Sequence, residues 1–327
     1  MDELDRQILS AIQADLPVVA RPFDALAERL GAKTDEVLGR IRRMIEAGPI
    51  RRLGPVFDSG RLGYSSTLVA AKVPPDRLTE TAARVSALPG VTHNYERRGP
   101  YNLWFTLTAR SEEEIVRTLA DLRAATGLEF HRLPALAVYK IRAVFDVSAP
   151  GEPARHDVPR RSRGGLKKTS PAQLGADEQA LVRALQDGLE ATAEPFAPVA
   201  ARVGRPVEWV LGQVRKWLSS GVVRRFGAVL RHTEVGFRAN SMAAFALPPE
   251  RTDEAGRTLA KRPEITHCYR RPPLPGFPYS LYVMIHGRSE DEVRALAARL
   301  AREIGARDHA VLFSATEFKK TSMRYFV

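Results

Sequence analysis

Cysteine is almost absent from this chain, since Cys268 is the single cysteine among 327 residues. One thiol forms no intrachain disulfide and gives at most one thiolate to a metal. A disulfide framework and a multi-thiolate metal cluster within one chain are therefore excluded. A protein without disulfides suits a reducing compartment, so we expect a cytoplasmic location.

Long apolar stretches are also missing. No run approaches the about 18 consecutive apolar residues of a membrane-spanning helix, so we expect no membrane span. The opening segment MDELDRQILS is acidic and amphipathic, and it lacks the apolar stretch of a signal peptide. The apolar fraction of 44% and the charged fraction of 27% are typical of globular proteins.

Acidic residues are outnumbered by basic ones, 38 against 50, which gives a formal net charge of +12. This balance favours a polyanionic partner: nucleic acid, an anionic membrane surface, or a ligand with many carboxylates or phosphates. Charge alone does not choose among these three.

The two halves of the chain repeat one another. Matching segments recur in the same order at an offset of 173 or 174 positions. They include Val37-Leu38-Gly39 with Val210-Leu211-Gly212, Arg51-Arg52 with Arg224-Arg225, and His93-Asn94-Tyr95-Glu96-Arg97 with His267-Cys268-Tyr269-Arg270-Arg271. An ordered and nearly constant offset indicates two homologous modules in tandem.

Each module has two patterns in succession. Three short segments of helical periodicity followed by a short β-wing predict a winged helix-turn-helix. The order strand, helix, strand, strand, helix, strand then predicts a ferredoxin-like α+β sandwich. The predicted domains are a winged helix-turn-helix at 1–60, a ferredoxin-like domain at 61–147, a linker at 148–174, a second winged helix-turn-helix at 175–233 and a second ferredoxin-like domain at 234–327.

The linker, 148–174, holds six basic and two acidic residues and is rich in Pro, Gly, Ser and Arg. Because it has few apolar side chains, we expect an extended or disordered tether. A nucleic-acid-binding arm is the alternative interpretation.

The two histidine motifs are the candidate site. Alternate residues of a strand share one face, so His93, Tyr95 and Arg97 are expected together. The equivalent residues of the second module are His267, Tyr269 and Arg271. An acid–base group, a hydroxyl and a fixed cation on one face suit the binding of a carboxylate and a proton transfer beside it. The alternative is a polar strand face open to water.

The architecture resembles the Lrp/AsnC transcription regulators, and the paired motifs narrow the resemblance to the siroheme decarboxylases. The tail 317–326, which contains Phe318-Lys319-Lys320, and Pro22-Phe23 and Pro195-Phe196 in the second helices also fit that family. The first module is similar to its D-type subunit and the second to its L-type subunit, fused in one chain.

This resemblance implies that the carboxyl groups of two acetate side chains of siroheme are removed to give 12,18-didecarboxysiroheme in heme d1 biosynthesis. It implies no required cofactor, since the iron belongs to the substrate. The expected partners are siroheme and its product. The two halves are expected to form an internal pseudo-dimer, with a further homodimer as an open alternative. DNA binding and membrane binding are not expected.

Under this interpretation, His93 and His267 transfer protons or ligate the siroheme iron. A histidine near its unperturbed pKa of about 6.5 supplies a proton at neutral pH. The remaining residues position the substrate carboxylates: Tyr95, Arg97, Tyr269, Arg270, Arg271, Lys319 and Lys320. A proline-rich segment at 272–278, which only the second module has, favours that module slightly as the catalytic one.

Two other functions remain open at this point. One is a DNA-binding regulator whose arginines in the third helix and the wing contact phosphates. The other is a tetrapyrrole carrier or sensor that binds siroheme without changing it.

Overall fold

The computed structural model describes residues 1–141, 170–231, 239–287 and 289–327. Most of the expected linker and the end of the last predicted strand of the first module lie outside these residues. Among the described residues, no helix has the length and apolar character needed to cross a membrane.

The first module follows the predicted order, with one addition. Its elements are α1 (Glu3–Ala14), α2 (Pro22–Leu30), α3 (Thr34–Glu46), β1 (Ile50–Phe57), β2 (Ser65–Ala71), α4 (Leu78–Ala87), β3 (Val91–Arg97), β4 (Leu103–Ala109), α5 (Glu112–Thr126), β5 (Phe130–Leu133) and β6 (Ala137–Ile141). The predicted order ends in a single strand, whereas the structure has the two short strands β5 and β6.

The second module repeats the pattern. Its elements are α6 (Ala176–Leu185), α7 (Ala197–Val203), α8 (Val207–Ser220), β7 (Val223–Leu230), β8 (Ala239–Ala246), α9 (Pro249–Ala260), β9 (Ile265–Arg270), β10 (Leu281–Gly287), α10 (Glu290–Glu303) and β11 (Asp308–Lys320). The predicted tandem of helix-turn-helix and α+β sandwich is therefore confirmed.

The strand after each helix-turn-helix pairs across the modules. β1 runs antiparallel to β7 in a two-stranded sheet, with Gly54 opposite Gly227. Each predicted wing is thus a single strand whose partner is the equivalent strand of the other module. One buried apolar cluster joins both helix-turn-helix units, from Ile8 and Phe23 to Phe196 and Trp217.

The helix-turn-helix units also contact each other reciprocally. Arg42 of α3 donates to the carbonyl of Ala191 at 2.8 Å, and Arg215 of α8 donates to the carbonyl of Val18 at 2.8 Å. Both pairs occupy equivalent positions of the repeat, so the interface has a pseudo-twofold character.

The sandwich strands form one continuous sheet in the order β5-β2-β4-β3-β11-β8-β10-β9-β6. The first part of β11 pairs with β8 of its own module, and its second part pairs with β3 of the other. In the same way, β5 pairs with β2 and β6 pairs with β9 of the second module. Each module therefore completes the other's sheet, and the halves form an internal pseudo-dimer.

The sheet has two different faces. The helices of each module cover one face, where separate apolar cores form. On the other face, side chains of both modules share a core that includes Tyr101, Trp104, Phe277 and Tyr282. The proline-rich segment supplies Phe277 to this shared core. Residues of both modules therefore meet on the face that none of the described helices covers, called the helix-free face below.

Candidate functional site

Both histidine motifs lie on the helix-free face of the sheet. Asn94 of β3 donates from Nδ2 to the Ala82 carbonyl of α4, and the Cys268 thiol of β9 contacts the Gly256 carbonyl of α9. These residues face the helices. The neighbouring histidines, His93 and His267, therefore point to the opposite face, as strand alternation predicts.

A β-bulge precedes each histidine. The ladder between β3 and β4 shifts between Val91 and His93, and the ladder between β10 and β9 shifts between Ile265 and His267. The displaced residue is a threonine in both modules. A bulge changes the direction of neighbouring side chains, so a threonine hydroxyl and the next imidazole come together.

The threonine hydroxyls hold the imidazole rings. Thr92 Oγ1 lies 2.9 Å from His93 Nδ1, and Thr266 Oγ1 lies 3.0 Å from His267 Nδ1. With Nδ1 occupied, Nε2 is the ring nitrogen left for a ligand in each motif. Sequence reasoning missed these threonines, although they are the residues before the two histidines.

A tyrosine and an arginine follow each histidine on the same face. The ring centroids of His93 and Tyr95 are 6.3 Å apart, and Arg97 lies over the Tyr95 ring at 5.3 Å. In the second module, the corresponding distances are 6.1 Å from His267 to Tyr269 and 4.7 Å from Arg271 to Tyr269. The structure thus brings together the six residues expected to share these faces.

The two arginines hold the site together through the main chain. Arg97 donates to the Leu312 carbonyl at 2.9 Å, and Arg271 donates to the Leu133 carbonyl. Each acceptor belongs to the other module. Arg97 is only 5% exposed, so its main observed role is to support Tyr95 and join the modules.

The environment keeps both histidines neutral in the ligand-free protein. Burial is the largest cause that lowers the pKa of His93 to about 4, followed by the charges of Arg51, Lys320 and His267. Burial also lowers the pKa of His267 to about 4, with further contributions from Arg224, Arg271 and Lys140. The expectation of a pKa near 6.5 is therefore wrong for the protein without its ligand.

The tyrosines stay protonated. Burial and the carboxylate of Glu317 raise the pKa of Tyr95 above its usual value. Burial likewise raises the pKa of Tyr269. Both phenols therefore remain hydrogen-bond donors at neutral pH.

We call His93, Tyr95 and Arg97 the first cluster, and His267, Tyr269 and Arg271 the second cluster. Two arginines outside the motifs lie close to these clusters. Arg51 of β1 lies within electrostatic range of His93, and Arg224 of β7 lies within electrostatic range of His267. Arg51 donates to Ser322 Oγ at 2.6 Å, and Arg224 pairs with Asp58 at 3.0 Å. The repeated arginine pair in the sequence is the signal that points to them.

The second arginine of each pair, Arg52 or Arg225, donates hydrogen bonds to main-chain carbonyls. Arg52 donates to the Pro55 carbonyl at 2.7 Å. Arg225 donates to the Gln13 carbonyl at 2.6 Å and to the Ala228 carbonyl at 2.7 Å. Burial lowers the pKa of each guanidinium to about 10. These main-chain contacts differ from the phosphate contacts that the regulator interpretation requires.

Three other predicted substrate-binding residues separate into two groups. Arg270 pairs with Asp253 of α9 at 3.1 Å, on the helix-covered face and away from His267. Lys319 donates to the carbonyls of Ser86 and Leu88 at the end of α4. Lys320 alone of these three lies beside a histidine, directly opposite His93 in the ladder of β11 and β3.

The two clusters differ in their neighbouring strand. In the first module, Tyr95 and His93 are opposite Glu317 and Lys320 of β11. In the second, Tyr269 and His267 are opposite the apolar residues Val138 and Ile141 of β6. The first cluster therefore includes a carboxylate beside its tyrosine, whereas the second has apolar strand neighbours.

The Cys268 side chain packs in the second sandwich core, and burial raises the pKa of its thiol. Among the described residues, no group of three or more His, Cys, Asp and Glu side chains is arranged to hold a metal ion.

Comparisons with known proteins agree with this architecture. A family described as "AsnC-like ligand binding domain" matches residues 61–140 and 234–319. A family described as "Siroheme decarboxylase NirDL-like HTH domain" matches residues 5–51 and 178–224. The fold and the paired sites define a tandem protein of helix-turn-helix and AsnC-like domains.

Relatives and solved structures match nearly the whole chain. The siroheme decarboxylase of Hydrogenobacter thermophilus is 35% identical over 99% of this chain and 95% of its own length. The NirDL subunit of the siroheme decarboxylase of Paracoccus denitrificans is 34% identical, over 98% of this chain and 96% of its own. A crystal structure of the siroheme decarboxylase NirDL superposes with a TM-score of 0.74 at 31% identity, covering 99% of this chain and 94% of that one. This chain belongs to the siroheme decarboxylase family.

Proposed function

We propose that this protein removes the carboxyl groups of two acetate side chains of siroheme, giving 12,18-didecarboxysiroheme in heme d1 biosynthesis. The observation that carries the proposal is the pair of partly buried His-Tyr-Arg clusters on the helix-free face of one sheet. A second crystal structure of NirDL, in complex with an iron-uroporphyrin III analogue, superposes with a TM-score of 0.73. That ligand is a tetrapyrrole, which supports a tetrapyrrole substrate here.

Charge is the first requirement of this substrate. Siroheme carries eight carboxylates, and arginine and lysine side chains bind carboxylates through charge-assisted hydrogen bonds. The clusters supply Lys320, Arg51, Arg224 and Arg271 as cations. Arg270 and Lys319 were expected to bind carboxylates as well, but their contacts with Asp253 and α4 favour structural roles.

Proton delivery is the second requirement. Loss of carbon dioxide leaves an electron pair on the side-chain carbon, which the macrocycle delocalises until a proton forms the new C–H bond. His93 and His267 are the groups placed for this transfer. Both are neutral without ligand, but carboxylates brought near an imidazole raise its pKa. The substrate carboxylates thereby favour a proton on an imidazole of the site, while iron ligation is the alternative role of either histidine.

Tyr95 and Tyr269 position the substrate, because their phenols stay protonated and lie beside the histidines. Arg97 and Arg271 stabilise the tyrosine rings.

No organic or redox cofactor is required in this scheme, since the macrocycle accepts the electrons and its iron arrives with the substrate. The internal pseudo-dimer is the functional unit. A reducing cytoplasm suits a protein with a single cysteine. Mass measurement of the assembled protein tests for a further homodimer.

Incubation of the purified protein with siroheme under anaerobic conditions tests the proposal. Mass spectrometry is expected to show the loss of two carbon dioxide units from the tetrapyrrole. Siroheme that is bound but unchanged would indicate a carrier. Indifference to siroheme together with salt-sensitive DNA binding would indicate a regulator.

The regulator is the second candidate, because both modules retain a helix-turn-helix. Its DNA-contacting cations have other partners here. Arg40 pairs with Asp2, Asp5 and Glu36 at 2.6 to 2.9 Å. Arg42 and Arg215 connect the two helix-turn-helix units. These contacts favour a structural use of the third helices over DNA binding.

A further inference from the structure

Beside the second cluster lie two polar side chains, Thr266 and His286, that the proposed function does not use. Thr266 Oγ1 lies 3.0 Å from His267 Nδ1 and also 3.0 Å from Nε2 of His286, in the adjacent strand β10. Thr266 is 6% exposed. One buried hydroxyl therefore stands between two imidazoles.

This arrangement couples the two rings. A hydroxyl carries one proton, so it donates to one imidazole and accepts from the other. When His286 Nε2 donates to Thr266 and Thr266 donates to Nδ1 of His267, the proton of the neutral His267 ring resides on Nε2. Reversal of both hydrogen bonds places that proton on Nδ1. The first arrangement becomes the second when one proton passes from His286 through Thr266 to Nδ1 of His267 and the Nε2 proton of His267 has left.

We propose that Thr266 and His286 form a relay that orients His267 and replaces the proton that His267 delivers to the decarboxylated carbon. This inference rests on the proposed function. Thr266 and His286 are positioning residues in this scheme, because only His267 faces the reacting carbon.

The transfer balances when His286 begins as an imidazolium. The electron pair left by carbon dioxide forms the new C–H bond as the Nε2–H bond of His267 breaks. His267 Nδ1 takes the hydroxyl proton of Thr266, and Thr266 takes the Nε2 proton of His286. His267 ends as its other neutral tautomer, Thr266 is unchanged, and His286 ends neutral. His267 itself never becomes an anion.

The first module has a different partner at this place. Thr92 Oγ1 lies 2.9 Å from His93 Nδ1, but its second neighbour is Thr106 Oγ1, at 2.9 Å. The repeat position that corresponds to His286 is Thr108, which donates to Ser66 at 3.0 Å. Among the described contacts, a threonine hydroxyl that joins two imidazoles occurs in the second module and not in the first.

Threonine and histidine variants test the relay in the full-length protein, with siroheme under anaerobic conditions. Thr266→Val preserves shape but removes the hydroxyl. It is expected to lower kcat by about tenfold or more, while the dissociation constant for siroheme, from absorbance titration, changes by less than about twofold. Thr266→Ser restores the hydroxyl and is expected to recover most of the activity. Thr108→Val is the matched control and is expected to behave as wild type.

His286→Gln separates orientation from proton supply. The glutamine amide donates a hydrogen bond to Thr266 but does not release its proton, so kcat is expected to fall by about tenfold. Wild-type kcat in either Thr266→Val or His286→Gln would overturn the relay. So would a Thr266→Val defect that appears only in siroheme binding, or one that serine does not rescue. A wild-type protein that leaves siroheme unchanged would instead refute the proposed function.

Discussion

Lys320, near the end of the chain, lies directly opposite His93 in the antiparallel ladder formed by β11 and β3. The lysine belongs to the second module and the histidine to the first. Its charge is one of the causes that lower the pKa of His93. The first cluster is therefore incomplete without the last strand of the second module, and the fused chain acts as one unit.

The adjacent lysines Lys319 and Lys320 are expected to respond differently to substitution. Lys320→Ala removes a cation beside His93 and is expected to weaken siroheme binding by about tenfold. Lys319→Ala removes donors to the carbonyls of Ser86 and Leu88. It is expected to lower the free energy of unfolding by about 1 kcal/mol and to leave siroheme binding intact. Absorbance titration and urea unfolding of both variants separate these outcomes, and equal binding defects would contradict the assignment.

The two histidines are expected to be required for turnover. His93→Ala and His267→Ala, made separately, remove the candidate proton donors, and at least one is expected to lower kcat by about 100-fold. The mass of the accumulated tetrapyrrole distinguishes a loss of both decarboxylations from a loss of one. His309→Ala is the control, because His309 stacks on Phe245 outside both clusters. Unaltered turnover in both motif variants would disprove the site assignment.

The depressed histidine pKa values predict how stability depends on pH. Each histidine titrates near 6.5 when unfolded and near 4 in the folded protein, so between these values the unfolded state binds more protons. Stability from these groups is therefore complete above about pH 6.5 and decreases as the pH falls toward 4. The full loss is roughly 3 kcal/mol for each histidine.

Urea unfolding from pH 7 to pH 5 measures this dependence. Replacing both histidines in one His93→Gln, His267→Gln variant removes their part of it, so the slope with pH is expected to become shallower than in the wild type. An identical slope in both proteins would show that the folded-state pKa values are not depressed.

Strand β6 of the first module packs so closely on α9 of the second that Gly256 has no space for a larger side chain. An added Cβ at Gly256 of α9 would overlap the Tyr139 ring of β6, whereas one at Gly39 of α3 meets nothing within 4 Å. Replacing a helix-interior glycine by alanine otherwise stabilises a helix by about 0.5–1 kcal/mol. Gly39→Ala is expected to stabilise the protein and Gly256→Ala to destabilise it in urea unfolding. Stabilisation by both would argue against the docking of β6 on α9.

Local sequence patterns predicted most of the fold. The predicted order of strands and helices recurs in both sandwiches, and α5 (Glu112–Thr126) follows a serine cap at Ser111. The pairing of β1 with β7 and the exchange of β6 and β11 were not predicted. Alternation shows which residues share a face, but it carries no information about which strand lies next to another.

The same limit applies to the site. Alternation grouped His93, Tyr95 and Arg97 correctly, because all three lie beyond the bulge. The contributions of Arg51 and Arg224 depend on the position of the β1–β7 sheet, which tertiary packing sets. The depressed histidine pKa values arise from burial among cations, which no local motif encodes.

Anaerobic incubation with siroheme in deuterated water, followed by mass measurement of the tetrapyrrole, decides whether this protein decarboxylates siroheme. The product is expected to have lost two carbon dioxide units and gained one carbon-bound deuterium at each of two side chains. Siroheme recovered with an unchanged mass would contradict this expectation.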